Sequence, residues 1–160
     1  MTGIEDDASR ALVPASGADA LRMTLTGMAA MGRDPKLGPK HVEGVRNFVT
    51  KIWNATRFAE MNGVRGGIAR PAPSHVVNRW IIGEVVDTLA KLDKAFDELR
   101  FDGMADAIYH FTWGTFCDWY VELVKSYFDA EKKVAEGQVV FTPELQPAEE
   151  TRKVAAWVFD

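Results

Sequence analysis

Polar side chains with complementary hydrogen-bonding chemistry recur along one side of the helix predicted at residues 39–61. They follow one another at steps of four, four and three residues: Arg46, Thr50, Asn54 and Arg57. Guanidinium forks combined with short amide and hydroxyl groups are suited to phosphates and base edges. Proteins bind single-stranded RNA loops with such donors beside an aromatic stacking surface, for which Phe58 and Trp80 are the candidates. The pattern predicts an RNA-binding stripe, and an ordinary solvated helix face is the alternative.

The aromatic stretch "FTWGTFCDWYVELVK" contains one carboxylate, Asp118, that raises the question of catalysis. At about 100° per residue, Asp118 shares a narrow polar stripe with Thr115, Glu122 and Lys125. No histidine, second carboxylate or nucleophile is placed to act with it. We therefore interpret Asp118 as a polar edge residue, available to pair with an arginine of a neighbouring helix.

The sequence also contains no motif for binding a metal ion or a nucleotide phosphate. The three histidines, His41, His75 and His110, have no metal-ligand spacing to one another or to Cys117. The glycine-rich "GVRGG" lacks the following Lys-Ser/Thr of a phosphate-binding loop and does not follow a strand. The sequence predicts no catalytic residue, no metal site and no cofactor.

The charge of the chain is unevenly distributed. The 160 residues carry a net charge of −4, yet residues 40–79 contain seven Lys or Arg and only two acids. This segment is therefore +5 and the remainder −9. A basic segment on an otherwise acidic protein can bind a polyanion locally.

Compartment signals are few. No apolar run approaches the roughly 18 residues of a membrane span, and the acidic start lacks the apolar core of a secretory signal. The single cysteine, Cys117, cannot form an internal disulfide, and its aromatic neighbours predict a buried thiol. A reducing compartment, the cytoplasm, is the expected location, with no membrane partner.

Apolar residues at three- and four-residue steps predict an all-α fold. We expect helices at 17–31, 39–61, about 75–99, about 102–128, and from Ala148 onward. Gly- and Pro-rich connections lie at 32–40, 63–74 and 135–147. Ser74 and Asp102 are the expected N-caps of the third and fourth helices. The third helix is expected to bury seven apolar residues: Val77, Ile81, Val85, Leu89, Leu92, Phe96 and Leu99.

The aromatic residues and the chain ends complete this interpretation. Helical spacing favours a core position over a ligand-binding one for Trp53, Trp113, Trp119 and Tyr120. Residues 1–16 show no clear period and are expected to be disordered. The last helix is still apolar at Asp160, which suggests that residues 17–160 form a helical domain truncated at its C-terminus.

Three stretches resemble the C-terminal helical part of valyl-tRNA synthetases. They are "GVRNFVTKIWNATRFAEMNG" (44–63), "NRWIIGEV" (78–85) and "LRFDGMADAIYHFTWGTFCDWYVELVK" (99–125). "GADALRMTL" and "GRDPKL" (17–37) are similar to the stretch after the catalytic domain of that family, and "ETRKVAAWVFD" to the start of a later helix. The similarity covers about three quarters of the chain, in order, and "FCDWYVEL" together with "KIWNATRF" is fairly specific for this family.

The resemblance implies an up-and-down helical bundle of the class I synthetase anticodon-binding type. It implies binding of the anticodon stem and loop of a tRNA with a valine anticodon. Asn54, Arg57 and Arg79 are the matching candidates for RNA contact, with Arg46 and Lys51 as phosphate contacts. Both class I ATP-site motifs, HIGH and KMSKS, are absent. This chain alone is thus expected not to be an enzyme, and ATP would belong to the missing catalytic domain of a valine–tRNA ligase.

A second function class stays open at this point. The chain also fits a helical structural or protein-interaction module, either a paralogue without RNA binding or a fragment. Its truncated last helix would then leave apolar surface uncovered and favour self-association.

Overall fold

The computed structural model describes residues 17–30, 37–67, 69–138 and 147–160, and every regular element within them is helical. The elements in chain order are α1 (Ala18–Met28), α2 (Pro39–Met61), α3 (Val76–Asp97), α4 (Phe101–His110), a π-helical segment (Phe111–Tyr120), α5 (Val121–Ala135) and α6 (Pro147–Phe159). The all-α fold class is confirmed. The predicted disorder of residues 1–16 and most of the predicted linker 135–147 lie outside the described residues.

The helix α2 has clear start and stop signals. Pro39 occupies its first turn, where the missing N–H of proline costs no hydrogen bond. The chain turns at Gly63, whose φ of 79° lies in the left-handed region that glycine adopts without strain. The side-chain amide of Asn62 donates to the carbonyl of Phe58 at 2.8 Å and satisfies one terminal acceptor. The predicted bounds of this helix match the observed ones.

The fourth helix, predicted at about 102–128, extends in the structure from Phe101 to Ala135 and contains a change of register. Helical dihedrals at Phe111 and Val121 join α4, the π-helical segment and α5 without interruption as far as Ala135. A π-helix makes i→i+5 hydrogen bonds, so a face calculated at 100° per residue does not continue through it. Gly114, a poor residue for a regular helix interior, lies in this segment.

The predicted aromatic core is wrong at two positions, Trp119 in the π-helical segment and Trp53 in the regular helix α2. Trp119 is 65% exposed and Trp53 is 63% exposed, although both were expected to be buried. Tyr120 is completely buried, as predicted, and Trp113 is partly buried. The side chain of Cys117 is buried beside Phe116, so the expected inert thiol is found and burial raises its pKa.

The main core lies where α3, the π-helical segment, α5 and α6 meet, with the second half of α2 against it. Its best-buried apolar side chains are Ile81, Tyr120, Val124, Phe128 and Val154. A smaller cluster joins α1, α2 and α4, where the rings of Phe48 and Tyr109 lie 4.8 Å apart. Burial of these side chains, at about 1.5–3 kcal/mol each, fixes α2 against the rest of the bundle.

The apolar face of α6 is covered. Val154, Ala155 and Ala156 are buried against α3 and α5, and Phe159 meets the ring of Phe116 edge-on at 5.0 Å. Trp157 and Phe159 are only partly exposed. The expectation that this helix presents uncovered apolar surface is therefore wrong for the described residues, and predicted self-association loses this support.

The buried face of α3 is narrower than predicted. Ile81 and Ile82 are buried, but Leu89, Phe96 and Leu99 are 50%, 58% and 63% exposed. The reason is that the C-terminal half of α3 packs through its small residue Ala95, beside Gly103 of α4, and turns its large side chains outward. The predicted inner face is wrong at those three positions.

The expected N-caps are also replaced. α3 begins at His75 without a cap from its own side chain, and Ser74 instead donates its hydroxyl to the carboxylate of Glu150 at 2.8 Å. Asp102 lies within the first turn of α4 and accepts two hydrogen bonds of 2.8 Å from the guanidinium of Arg100.

Candidate nucleic-acid interface

The predicted polar stripe lies on the exposed side of α2. Arg46, Asn54 and Arg57 are all exposed, and the helix between them is uninterrupted. Thr50 is exposed too, although its hydroxyl already donates to the carbonyl of Arg46 at 3.0 Å. Residues three and four apart are neighbours on a helix surface, so these side chains form one continuous strip.

The two guanidinium groups of this strip are free of acidic partners in the part of the chain that the structure describes. Neither Arg46 nor Arg57 has a described carboxylate within ion-pair distance, whereas Arg22, Arg100 and Arg152 do. An unpaired, hydrated guanidinium keeps all its donors available for a phosphate or a base edge. This arrangement can bind an anion along α2.

Lys51 has a different environment from the arginines. Its ammonium contacts the carboxylate of Asp118 and lies 4.2 Å from the centroid of the Trp113 ring. Only 26% of its side chain is exposed. Asp118 thus pairs with a lysine, not with the expected arginine. A phosphate contact by Lys51, which stays a prediction, would compete with these two partners.

The two predicted stacking residues differ in exposure. Phe58 is partly buried, with its ring 6.1 Å from that of Phe128 and the ammonium of Lys125 5.8 Å away. Trp80 is 36% exposed, and its indole N–H donates to Glu84 at 3.1 Å. Neither ring matches the exposure of Trp53, which sequence reasoning had assigned to the core.

Arg79 belongs to a separate groove at the start of α3. It lines an open cavity of about 450 Å³ together with Arg70, two prolines and the buried Ile82. The guanidinium carbon of Arg70 lies 5.8 Å from the ring of Trp157, so α6 helps to hold it. Sequence reasoning did not select Arg70; its position in the proline-rich segment directly before α3 was the available signal. None of the residues that line this groove belongs to α2, so the groove is separate from the α2 strip.

A buried polar network fixes α3 relative to α6. The hydroxyl of Tyr120 donates to Oδ1 of Asn78 at 2.9 Å, and Nδ2 of Asn78 donates to Glu150 at 2.9 Å and to Thr151 at 3.0 Å. Tyr120, Asn78 and Thr151 are all completely buried. Burial, first, and the nearby Tyr127 and Glu150 raise the pKa of Tyr120. The network fixes the start of α3 at Asn78, the residue directly before Arg79.

The carboxylates, histidines and cysteine of the described ranges are the side chains that could take part in catalysis or hold a metal ion. These ranges contain no group of three His, Cys, Asp or Glu side chains that could hold a metal ion. Asp118 is occupied by Lys51, and Nδ1 of His75 is buried without a partner while its ring meets Tyr127 edge-on at 5.1 Å. Among the helices described, none combines the length and apolar character needed to traverse a lipid bilayer.

Three proteins of similar sequence are all valine–tRNA ligases. The sequence is 50% identical over 151 residues to the valine–tRNA ligase of Rhizorhabdus wittichii, covering 93% of this chain and 16% of the relative. It is 49% identical over 153 residues to that of Cereibacter sphaeroides (93% and 14%) and 49% identical over 126 residues to that of Rhizobium meliloti (78% and 13%). The matched part of the chain thus spans about a seventh of the length of these relatives. No solved structure matches.

The family match covers the region from the buried Asn78 to the end of α6. The sequence model of the anticodon-binding domain of tRNA ligase matches residues 78–159. The α2 strip precedes this range but lies within the similarity to the valine–tRNA ligases, which extends over 93% of the chain. Since the matched range is more than half of the 160 residues, the chain belongs to the anticodon-binding domain family of tRNA ligases.

Proposed function

We propose that this chain binds the anticodon stem and loop of a tRNA that carries a valine anticodon. In this proposal the chain is the anticodon-binding part of a valine–tRNA ligase, the name borne by its relatives. The observation that carries it is the strip of exposed Arg46, Asn54 and Arg57 on one side of α2, whose two arginines have no ion-pair partner among the described residues. Family membership supplies the kind of ligand, and the strip supplies its chemistry.

The strip can perform two tasks. Arg46 and Arg57 provide guanidinium forks for phosphates, and the short amide of Asn54 provides both a donor and an acceptor for a base edge. Counterion release from the RNA backbone would make the affinity fall with salt. For single strands, each phosphate contact lowers the logarithm of the association constant by about 0.7 for every tenfold increase in salt concentration. Arg79, with Arg70, offers a second basic contact at the start of α3.

The remaining parts of the proposal concern the chain as a whole. Binding of RNA by these side chains requires no cofactor, and we assign ATP and valine activation to a catalytic domain outside this chain. The chain alone is then not an enzyme. The buried, unpaired thiol of Cys117 fits a reducing compartment, so we place the function in the cytoplasm.

The test is a titration of fluorescently labelled RNA hairpins with the 160-residue chain, followed by anisotropy. One hairpin carries the anticodon arm of a valine tRNA, and a second differs only in its anticodon bases. Arg57→Ala is expected to weaken binding of the first hairpin by about 1–3 kcal/mol. Arg22→Ala, at an exposed arginine of α1, is the matched control and is expected to bind normally. Equal binding of the Arg57 variant and the unmodified chain would remove the α2 strip from the proposal.

A further inference from the structure

Trp53 lies on the solvent side of α2. It is 63% exposed, while the four buried residues of the same helix, Val42, Phe48, Ala55 and Ala59, face the bundle. Its indole N–H makes no hydrogen bond within the described part of the chain. A large aromatic side chain held in water on a rigid helix forgoes the stabilisation that burial would give. Such a side chain is available for an external partner.

The neighbours of Trp53 indicate the chemistry of that partner. Thr50 is three residues before it and Arg57 four residues after it, so both are adjacent on the helix surface. Arg46, two turns before Trp53, lies on the same side. The indole is thus placed between two guanidinium groups that lack described acidic partners. The two acids of α2, Glu43 and Glu60, are exposed and also lie on this side, three residues before Arg46 and three residues after Arg57.

We propose that Trp53 is a base-stacking platform for an unpaired nucleobase of the bound RNA, with Arg46 and Arg57 on the phosphates to either side. This assignment rests on the proposed RNA-binding function and adds a specific contact to it. A nucleobase offers a flat π-face to the indole, and its flanking phosphates offer the charge that complements the arginines. A protein segment would need acidic residues on both sides of an apolar one to fit the same surface.

Trp119 shows why exposure by itself does not carry the assignment. It is 65% exposed, as open as Trp53, but its polar neighbours are the carboxylates of Asp118 and Glu122, which pair with Lys51 and Lys125. No arginine lies three or four residues from it, so the phosphate contacts offered beside Trp53 have no counterpart on its helix face. Trp119 is therefore the control: the same side chain and a similar exposure without the flanking arginines.

The test compares Trp53→Ala, Trp53→Phe and Trp119→Ala in the hairpin titration. Stacking of one base contributes roughly 1–3 kcal/mol, so Trp53→Ala is expected to weaken binding about 5- to 150-fold. Trp53→Phe should recover part of this loss, and Trp119→Ala should change nothing. Circular dichroism checks that each variant keeps its helical content.

A second readout identifies the base itself. Loop positions are replaced one at a time by 2-aminopurine, whose fluorescence falls when it stacks, and then by an abasic site. At one position, the bound hairpin should be brighter with Trp53→Ala than with the unmodified chain. With an abasic site there, Trp53→Ala should cause no further loss of affinity.

The outcomes separate the two proposals. If the unmodified chain binds neither hairpin, both the proposed function and the stacking role fail. If it binds and Trp53→Ala binds equally well, the stacking role alone is overturned, and Trp53 belongs to a protein contact or to bare surface. If Trp53→Ala weakens binding but no loop position responds, a direct stack is overturned.

Discussion

The side-chain amide of Asn78, in α3, donates a hydrogen bond of 2.9 Å to the carboxylate of Glu150, in α6. The same carboxylate accepts from the backbone N–H groups of Ser74 and His75 at 2.9 and 3.1 Å. A residue 75 positions away thus takes the part of the N-cap of α3, because negative charge at a helix N-terminus interacts favourably with its free N–H groups and dipole.

Glu150→Gln tests this long-range cap. The substitution keeps the size of the side chain but removes its charge and turns an amide toward donors, so we expect a loss of about 1–2 kcal/mol in the free energy of unfolding. Urea denaturation followed by circular dichroism measures it. Glu149→Gln is the control, since the neighbouring Glu149 is exposed and its partners among the described residues are surface ion pairs with Arg152 and Lys153. Equal stability of the two variants would contradict the cap.

Acid sensitivity should follow from the same residue. Burial would raise the pKa of Glu150, but hydrogen bonds from Asn78, Ser74 and His75 outweigh it and lower the pKa from 4.5 to about 2. A carboxyl with a lower pKa in the folded state contributes stability above its unfolded pKa and loses it as pH falls toward its folded value. Stability should therefore decrease between about pH 5 and pH 2.

Urea midpoints measured across this range are expected to fall less steeply for Glu150→Gln than for the unmodified chain. Glu131, whose pKa is lowered by its hydrogen bond with Arg152, contributes in the same direction. Glu131→Gln should therefore lose stability at low pH less steeply than the unmodified chain, but it should retain the loss that is due to protonation of Glu150. Parallel slopes for the unmodified chain and Glu150→Gln would refute the assignment.

Local sequence signals were sufficient for the helices and insufficient for their contacts. Pro39 and Gly63 mark the two ends of α2 because their effects are confined to adjacent residues. The cap by Glu150 joins residues far apart in the chain, and no periodicity encodes it. Ser74 was a reasonable local N-cap, but tertiary structure provided a charged acceptor instead.

The sequence predicted the polar residues of the candidate site, but it did not predict the exposed position of Trp53. Arg46, Asn54 and Arg57 share a helix face by spacing alone, and a regular α2 preserves that face. Trp53 was assigned to the core because large aromatic residues usually are core, which is a statement about averages. Its position on the outer side of α2 already followed from its spacing of four to Arg57.

The end of α3 stores a small amount of strain that can be relieved. Leu99 has a φ of 54°, in the left-handed region that usually contains glycine, and is 63% exposed. Leu99→Gly should raise the free energy of unfolding by about 0.5–1 kcal/mol, since glycine adopts this conformation without a clash. Leu89→Gly, at an exposed interior position of the same helix, should lower it by about 1 kcal/mol. Thermal denaturation of both variants checks the opposite signs.

The buried network predicts unequal costs for two of its members. Tyr120→Phe removes one hydroxyl and leaves Oδ1 of Asn78 with a 3.3 Å bond from Thr151, so a loss of about 1–2 kcal/mol is expected. Asn78→Ala removes the acceptor of the hydroxyls of Tyr120 and Thr151 and also opens a cavity. Its cost should exceed about 3 kcal/mol. Denaturant titration of both variants decides, and a smaller loss for Asn78→Ala would contradict the network.

The contact between Lys51 and Asp118 should oppose RNA binding rather than assist it. Asp118 holds the ammonium beside the bundle and adds a negative charge near the α2 strip. Asp118→Asn is therefore expected to tighten binding of the anticodon hairpin about two- to fivefold at low salt. Stability should change by no more than about 1 kcal/mol, because the carboxylate is 49% exposed. In a Lys51→Ala background most of the gain should disappear if Lys51 is a phosphate contact. A gain of the same size in both backgrounds would mean that Asp118 acts through its charge alone, and the predicted phosphate contact of Lys51 would be wrong.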